Sequence, residues 1–369
     1  MPRHLQTIIT SERIASVDYF RGLTMFLLVG EFTGLYHIIT DTAFNSGIIR
    51  FIATQLQHHP WHGLRFWDFI QPFFMFIVGL SLPLSVAKRT KRGDSNARIW
   101  KHVIKRSLLL MFLGWALYCI GPGKITFQFQ NVLFQIGITY FIAFAILKRS
   151  SLFQILFSVG LLILMDLVYR LFPVEGFNQA FTPDHNFGAF IDMKLNGELS
   201  GGHWVSVNAI ITAAHTIWGV LTARLLFSEG DRKKKVRILL IFGAACLLSG
   251  YLLDLYTPII KRIATSSFVL VSGGYSILAM TLLYWLIDIR KVNPGLTFFN
   301  VVGMNPLFIY LFAHIGGARL VSSVFAPFTH AVFFFAEKPW IEAINAGITW
   351  LALWYICYFM YRKKVFIKI

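Results

Sequence analysis

The stretch QHHPWHGLRFWDFIQPFFMFIVG, Gln57 to Gly79, packs three histidines into five residues and then turns apolar almost without a break. Its second half has the length and composition of the start of a membrane-crossing helix, which needs about 20 largely apolar residues. Its first half places the side chain that exchanges protons most readily near neutral pH at the mouth of that helix. An imidazole there has three uses: a metal ligand, a polar tip in an interfacial belt, or an acid/base group.

Outward from this stretch the pattern repeats. The 369 residues are 56% hydrophobic and only 14% charged, far below the charged share of a soluble domain of this size. About ten segments (10–11 with an ambiguous one) read as spans by the length rule. They centre on 23–39, 67–86, 107–121, 132–147, 152–170, 204–226, 237–254, 268–287, 297–316 and 343–361. The stretch 320–336, broken by Pro327, reads as an interfacial or re-entrant piece. The expected fold class is all-α: a polytopic transmembrane helical bundle, one integral-membrane domain over 1–369. No polar block is long enough to fold alone.

Charge gives the orientation. The loop KRTKRGDSNARIWKHVIKR, 88–106, holds eight Lys and Arg against one acid, and DRKKKVR at 231–237 and the tail after Tyr361 are also basic. Counted through ten spans these fall on one side, which the positive-inside rule assigns to the cytoplasm. The expected topology is therefore N-in and C-in, with 88–106 a basic cytoplasmic loop and 171–203 a non-cytoplasmic one. The same rule accounts for the formal charge of +17 without nucleic acid. The N-terminus lacks the pattern of a signal peptide. Cys119, Cys246 and Cys357 all lie in apolar runs, with no CxxC.

Ionisable groups within spans are costly and mark function or ion pairs. They include Glu31, Asp68, the Asp166/Arg170 pair four residues apart, His215 and His314, with Asn305 as a polar companion. Asp18 and Arg21 flank the first span as an ion pair or, for Arg21, a phosphate contact. His58 and His62 have the spacing of two helical metal ligands, but Pro60 between them disfavours helix at His59, and no third ligand stands at a familiar spacing. No metal is expected.

Two motifs together carry a resemblance: SVDYFRGLTMFLLV (16–29) and the pattern H-x-x-W-x-G-L-x-x-x-D that runs from His58 to Asp68. The chain resembles the transmembrane acyltransferase family of heparan-alpha-glucosaminide N-acetyltransferase, in its bacterial members. The likeness continues through KRSLLLMFLGWAL (105–117), NVLFQIGITYFIA (131–143), NAIITAAHTIWGVLTARLL (208–226), TSSFVLVSGGYSILAMTLLYWLID (265–288) and GMNPLFIYLFAH (303–314). It implies transfer of an acetyl group from cytoplasmic acetyl-CoA to an amino sugar or glycan on the far side of the membrane. It implies His58 as the catalytic residue, by general base action or as a transient acetyl carrier, with Asp68 orienting an imidazole or supporting the helix start. Trp61, His62, Trp67, Trp204 and Glu31 are then expected at the acceptor, Glu31 standing near the place where relatives carry asparagine. Arg21, Arg106, Gln135 and Asn305 are expected at the donor. A homodimer in a bacterial inner membrane completes what the resemblance implies. The rival class is a transporter for an amino sugar or related small solute, which buried polar groups and aromatic linings also suit.

Overall fold

Polar residues set just ahead of apolar runs start the helices. Ser95, Asn131, Ser150, Asp231 and Thr265 each accept a backbone N–H with the side chain, which satisfies one of the donors that a helix start leaves unpaired. The computed structural model describes residues 14–44, 46–292 and 295–367. Among these the protein is all-helical, with one isolated bridge between His62 and Ile260 and no strand. The helices used below are α1 (Ala15–Glu31), α2 (Ile70–Lys91), α3 (Asn96–Ile120), α4 (Val132–Ala145), α5 (Ser151–Leu171), α6 (Ala213–Phe227), α7 (Arg232–Leu253), α8 (Ser266–Leu283), α9 (Leu296–Met304), α10 (Ala318–Val332) and α11 (Lys338–Arg362).

Among the described residues eight helices are long and apolar enough to cross a membrane, and α4 is apolar but shorter. This is a polytopic helical membrane protein. Three expected boundaries move. The first span is not 23–39: α1 ends at Glu31, a turn follows, and Gly34 at φ 80° takes the left-handed conformation that glycine adopts without penalty. The segment 297–316 is not one helix: Asn305 sits at φ −126°, ψ 46°, because the ring of Pro306 disfavours helical backbone in the residue before it. The stretch 320–336 is chiefly helix, α10, and belongs to the 27-residue span candidate Pro306–Val332. The N-terminal segment through residue 13, read above for a signal peptide, lies outside the described residues.

The chain forms two compact units interleaved in sequence. One comprises 59–64 and 71–285. Its most enclosed span is Asn208–Phe227, 83% buried, whereas α5 and α7 are 22% buried and turn large apolar side chains such as Leu156, Ile163, Ile241 and Leu248 outward. Enclosure needs close backbone approach. A Cβ added at Gly79 would collide with the Thr216 carbonyl, and one at Gly219 with the Phe76 carbonyl, so small residues here let α2 and α6 touch. Two buried cations close helix ends. Arg224 donates to the carbonyls of Arg149 and Leu147 in the turn that follows α4, and Lys235 to that of Leu226 in the last turn of α6, supplying donors that these carbonyls lack.

The second unit comprises 15–58, 65–70 and 286 onward. Here α1 lies against α9, where a Cβ on Gly22 would overlap the Phe299 carbonyl. Phe26 stacks on Trp350 of α11 at 4.4 Å, and the Trp350 indole donates to the Phe26 carbonyl at 3.0 Å. Asn345 ties α11 to α10 through Ser322 and Thr329.

Candidate active site

Asp68 is placed by local chain geometry. Arg65 is extended, and the turn Phe66–Phe69 follows it as a short 3-10 segment leading into α2. Within that turn one carboxylate oxygen of Asp68 reaches back to accept the Arg65 backbone N–H at 2.9 Å. This is the capping exchange that satisfies a helix start. It leaves the other oxygen facing His58, whose Nδ1 lies 2.9 Å away. The Arg65 guanidinium donates to the His58 carbonyl at 3.0 Å, so one residue holds the backbone of the histidine and the carboxylate that pairs with it.

The dyad is asymmetric. The Asp68 side chain is 1% exposed and that of His58 31%. A buried carboxylate needs donors on its oxygens, and here an imidazole and a peptide N–H serve. An ionised carboxylate only accepts, so Nδ1 is the donor of this pair, and a neutral ring with its proton there would carry its lone pair on Nε2. That arrangement suits an acid/base group, because a fixed carboxylate partner on Nδ1 sets the orientation of the ring.

A second set of contacts fastens this corner to the end of α1. The Gln57 side chain donates to the Tyr36 carbonyl at 2.7 Å, and the Tyr36 hydroxyl to the Leu27 carbonyl at 2.8 Å. Trp67 is buried, meets Tyr36 edge-on at 4.9 Å and donates its indole N–H to Glu31 at 3.2 Å. His58, Asp68, Trp67 and Glu31 thus fall together in one unit. Glu31 is at the exposed end of α1 rather than within it.

The other residues of the motif belong to the unit of 59–64 and 71–285. His59 packs its ring against Gly63, which sits at φ 138° and has no room there for a side chain. His62 pairs through Nε2 with Asp254 at 2.9 Å, but that carboxylate is 29% exposed and the imidazole 54%. The carboxylate paired with His58 is thus far more buried than the one paired with His62. Trp61 donates to the Phe181 carbonyl at 2.8 Å and meets His203 edge-on at 5.9 Å, while His203 pairs with Asp184 at 2.7 Å. Trp204 lies under Lys261 and Arg262, 5.5 and 5.0 Å from its ring. Nearby in the chain, Asp192 accepts from the Ser206 N–H and from Gln130, and burial pushes its carboxyl up against the pull of those bonds.

The residues expected at the donor are divided between the two units. Arg21 pairs with Asp18 at 3.3 Å across one helical turn. Asn305 donates to the Val365 carbonyl and accepts from the Ile367 N–H, both at 2.9 Å. In the other unit, Gln135 donates to the Gln130 carbonyl at 3.1 Å and accepts from Gln71, and Arg106 lies over the Tyr140 ring at 5.0 Å. No group of three or more His, Cys, Asp or Glu fit to hold a metal occurs among the described residues.

Sequence reading missed Arg65, although its place three residues before Asp68 is the spacing of a capping pair. It also missed Asp254 and Asp184, whose pairing with His62 and His203 spans distances in sequence that no local pattern encodes.

Comparison with known proteins adds the family. The model described as heparan-alpha-glucosaminide N-acetyltransferase, catalytic, matches residues 13–256, more than half the chain. The protein named heparan-alpha-glucosaminide N-acetyltransferase of Mus musculus is 25% identical over 437 aligned positions, covering 98% of this chain and 61% of the relative. The protein of the same name from Homo sapiens is 27% identical over 429 positions, covering 97% and 60%. The chain spans about three fifths of the length of these curated relatives.

Proposed function

The chain belongs to the heparan-alpha-glucosaminide N-acetyltransferase family, and from that premise we propose that it is a membrane acyltransferase moving an acetyl group from cytoplasmic acetyl-CoA to an amino sugar on the opposite side. The observation that carries the reading is the His58–Asp68 pair, 2.9 Å apart with its carboxylate buried, inside the segment that the family model matches.

The acceptor amine attacks the thioester carbonyl. His58 Nε2 takes the proton that the amine loses, and Asp68 steadies the imidazolium that results. As the tetrahedral intermediate collapses, the carbon–sulfur bond breaks and the coenzyme A thiolate leaves, taking a proton from the imidazolium or from water. The products are the N-acetyl sugar and coenzyme A. Tight pairing to Asp68 also contributes without proton transfer, because it fixes the ring in one tautomer and one orientation. The bilayer is crossed by the acetyl group alone, so neither coenzyme A nor sugar is transported. The setting proposed is a bacterial inner membrane.

The test is acetyl transfer from labelled acetyl-CoA to glucosamine by protein purified in detergent, with a panel of amino sugars beside it. Labelled N-acetyl product supports the reading. Uptake of labelled glucosamine into proteoliposomes without acetyl-CoA, and no product with it, supports the transporter instead.

A further inference from the structure

In the second unit, the chain that leads from α1 to His58 first climbs along α11. Phe26 stacks on Trp350, the Tyr36 ring meets Trp350 edge-on at 5.9 Å, and the Phe44 ring meets Trp340 at 4.5 Å. Trp340 stands nearer the start of α11 than Trp350 by about 15 Å of helix. That start is a membrane boundary, because the turn 333–337 before it joins the span candidates Pro306–Val332 and Lys338–Arg362. Phe334 and Phe335 in this turn are exposed, and Phe328 and Val332 continue the outward apolar surface down α10. Trp340, itself partly exposed, is the residue type that collects where a bilayer meets water.

Shortly after Phe44 a short helix begins, Gly47–Gln55, started by the Ser46 hydroxyl, which accepts the Ile49 N–H at 3.3 Å. Ile48, Phe51 and Ile52 share one face by their spacing of three and four. Ile48 is 77% exposed, Phe51 65% and Ile52 46%, while Ala53 on the opposite side is buried. Arg50 and Thr54 form an exposed polar edge beside this stripe. Phe66, which opens the turn into α2, is exposed as well, and its N–H is held by the Gln55 side chain at 3.0 Å. Large apolar side chains gathered on an outward face mark a contact surface. With an arginine along the edge, the pattern is that of a helix at a lipid surface: the apolar side chains enter the acyl region and the guanidinium stays among the headgroups.

We propose that Ile48, Phe51 and Ile52 seat this helix in the lipid leaflet at the Glu31 end of α1, as a membrane-contact surface beside His58. Lipid is the occupant because the helix starts at the boundary that Trp340, Phe334 and Phe335 mark, so its apolar face continues the outward surface of α10 and α11. The helix is also fastened to the His58 corner on both sides. Gln55 holds the Phe66 N–H in the turn that carries Asp68, and Gln57 holds the Tyr36 carbonyl. Seating the helix therefore fixes the depth of His58 and Asp68 relative to the lipid. That depth is the same whatever reaction the site performs.

The experiment places single cysteines, Phe51→Cys, Ile48→Cys and Arg50→Cys, in a background lacking Cys119, Cys246 and Cys357. Each is labelled with bimane and reconstituted at one copy per phospholipid nanodisc, with size exclusion and thermal midpoint as folding checks. Quenching is read with iodide in the water and with phospholipid that carries a nitroxide high on its acyl chain. The labels at Phe51 and Ile48 are expected to emit further to the blue than the label at Arg50, to be quenched by the nitroxide lipid and to be shielded from iodide. The label at Arg50 is expected to be reached by iodide. Iodide quenching at Phe51 and Ile48 equal to that at Arg50 overturns the proposal and leaves the face in water. Shielding from both quenchers overturns it too, and shielding that appears only with two copies per disc assigns the face to a second copy of the chain.

Discussion

At the scale of single residues, the proposed function singles out one histidine of three. His58, His59 and His62 are alike in sequence and unlike in partners. His58 meets a buried carboxylate, His59 packs against Gly63, and His62 meets a half-exposed aspartate. An ion pair in contact with water is worth little because solvent screens it. A buried carboxylate is a fixed acceptor that sets a tautomer. Asp68→Asn is therefore expected to lower kcat by about 10²-fold or more while KM changes little. His62→Ala is expected to lose far less. Steady-state kinetics on purified protein, with thermal midpoints as the folding control, separate the two. The family resemblance already set Asp68 beside His58 as a candidate partner. It did not reveal Arg65, whose main-chain N–H meets Asp68 and whose guanidinium reaches the His58 carbonyl, because a backbone acceptor is present at every residue and leaves no mark in a motif.

Helices were easy to read and their ends were not. Apolar length marks a span whatever its neighbours do, and eight helices among the described residues have the length and composition to cross a membrane where ten segments were expected. The ends depend on single residues: Gly34 after α1 and Pro306 after α9. How helices meet is likewise a matter of backbone contact that hydrophobic periodicity does not express. Gly79 shows it. A methyl group there would strike the Thr216 carbonyl, whereas one at Gly347 in α11 would meet nothing within 4 Å. Gly79→Ala is expected to destabilise by about 1–3 kcal/mol through overpacking. Gly347→Ala is expected to be neutral or mildly stabilising, since alanine favours helix over glycine. Thermal unfolding in detergent checks the contrast, and equal midpoints for the two variants would contradict the close approach of α2 and α6.

For the molecule as a whole, the proposal turns on sidedness, with basic loops at the donor face and the acceptor opposite. In a background lacking Cys119, Cys246 and Cys357, single cysteines at Arg92 and Lys233 are expected to react with an impermeant maleimide only from the cytoplasmic side. One at Glu175 is expected to react only from the other. Composition and charge made the membrane class and its expected orientation readable at once. They left unread the division of the motif between two compact units, because tertiary contacts far apart in sequence decide it. The most direct measurement uses sealed vesicles with acetyl-CoA, labelled in its acetyl group, on the cytoplasmic face and glucosamine trapped on the other. Wild type should accumulate labelled N-acetyl product inside, with no coenzyme A crossing, and well-folded His58→Ala should lose that transfer by about 10²-fold or more. Equal accumulation by the folded variant, or glucosamine leaving the vesicle unacetylated, would contradict it.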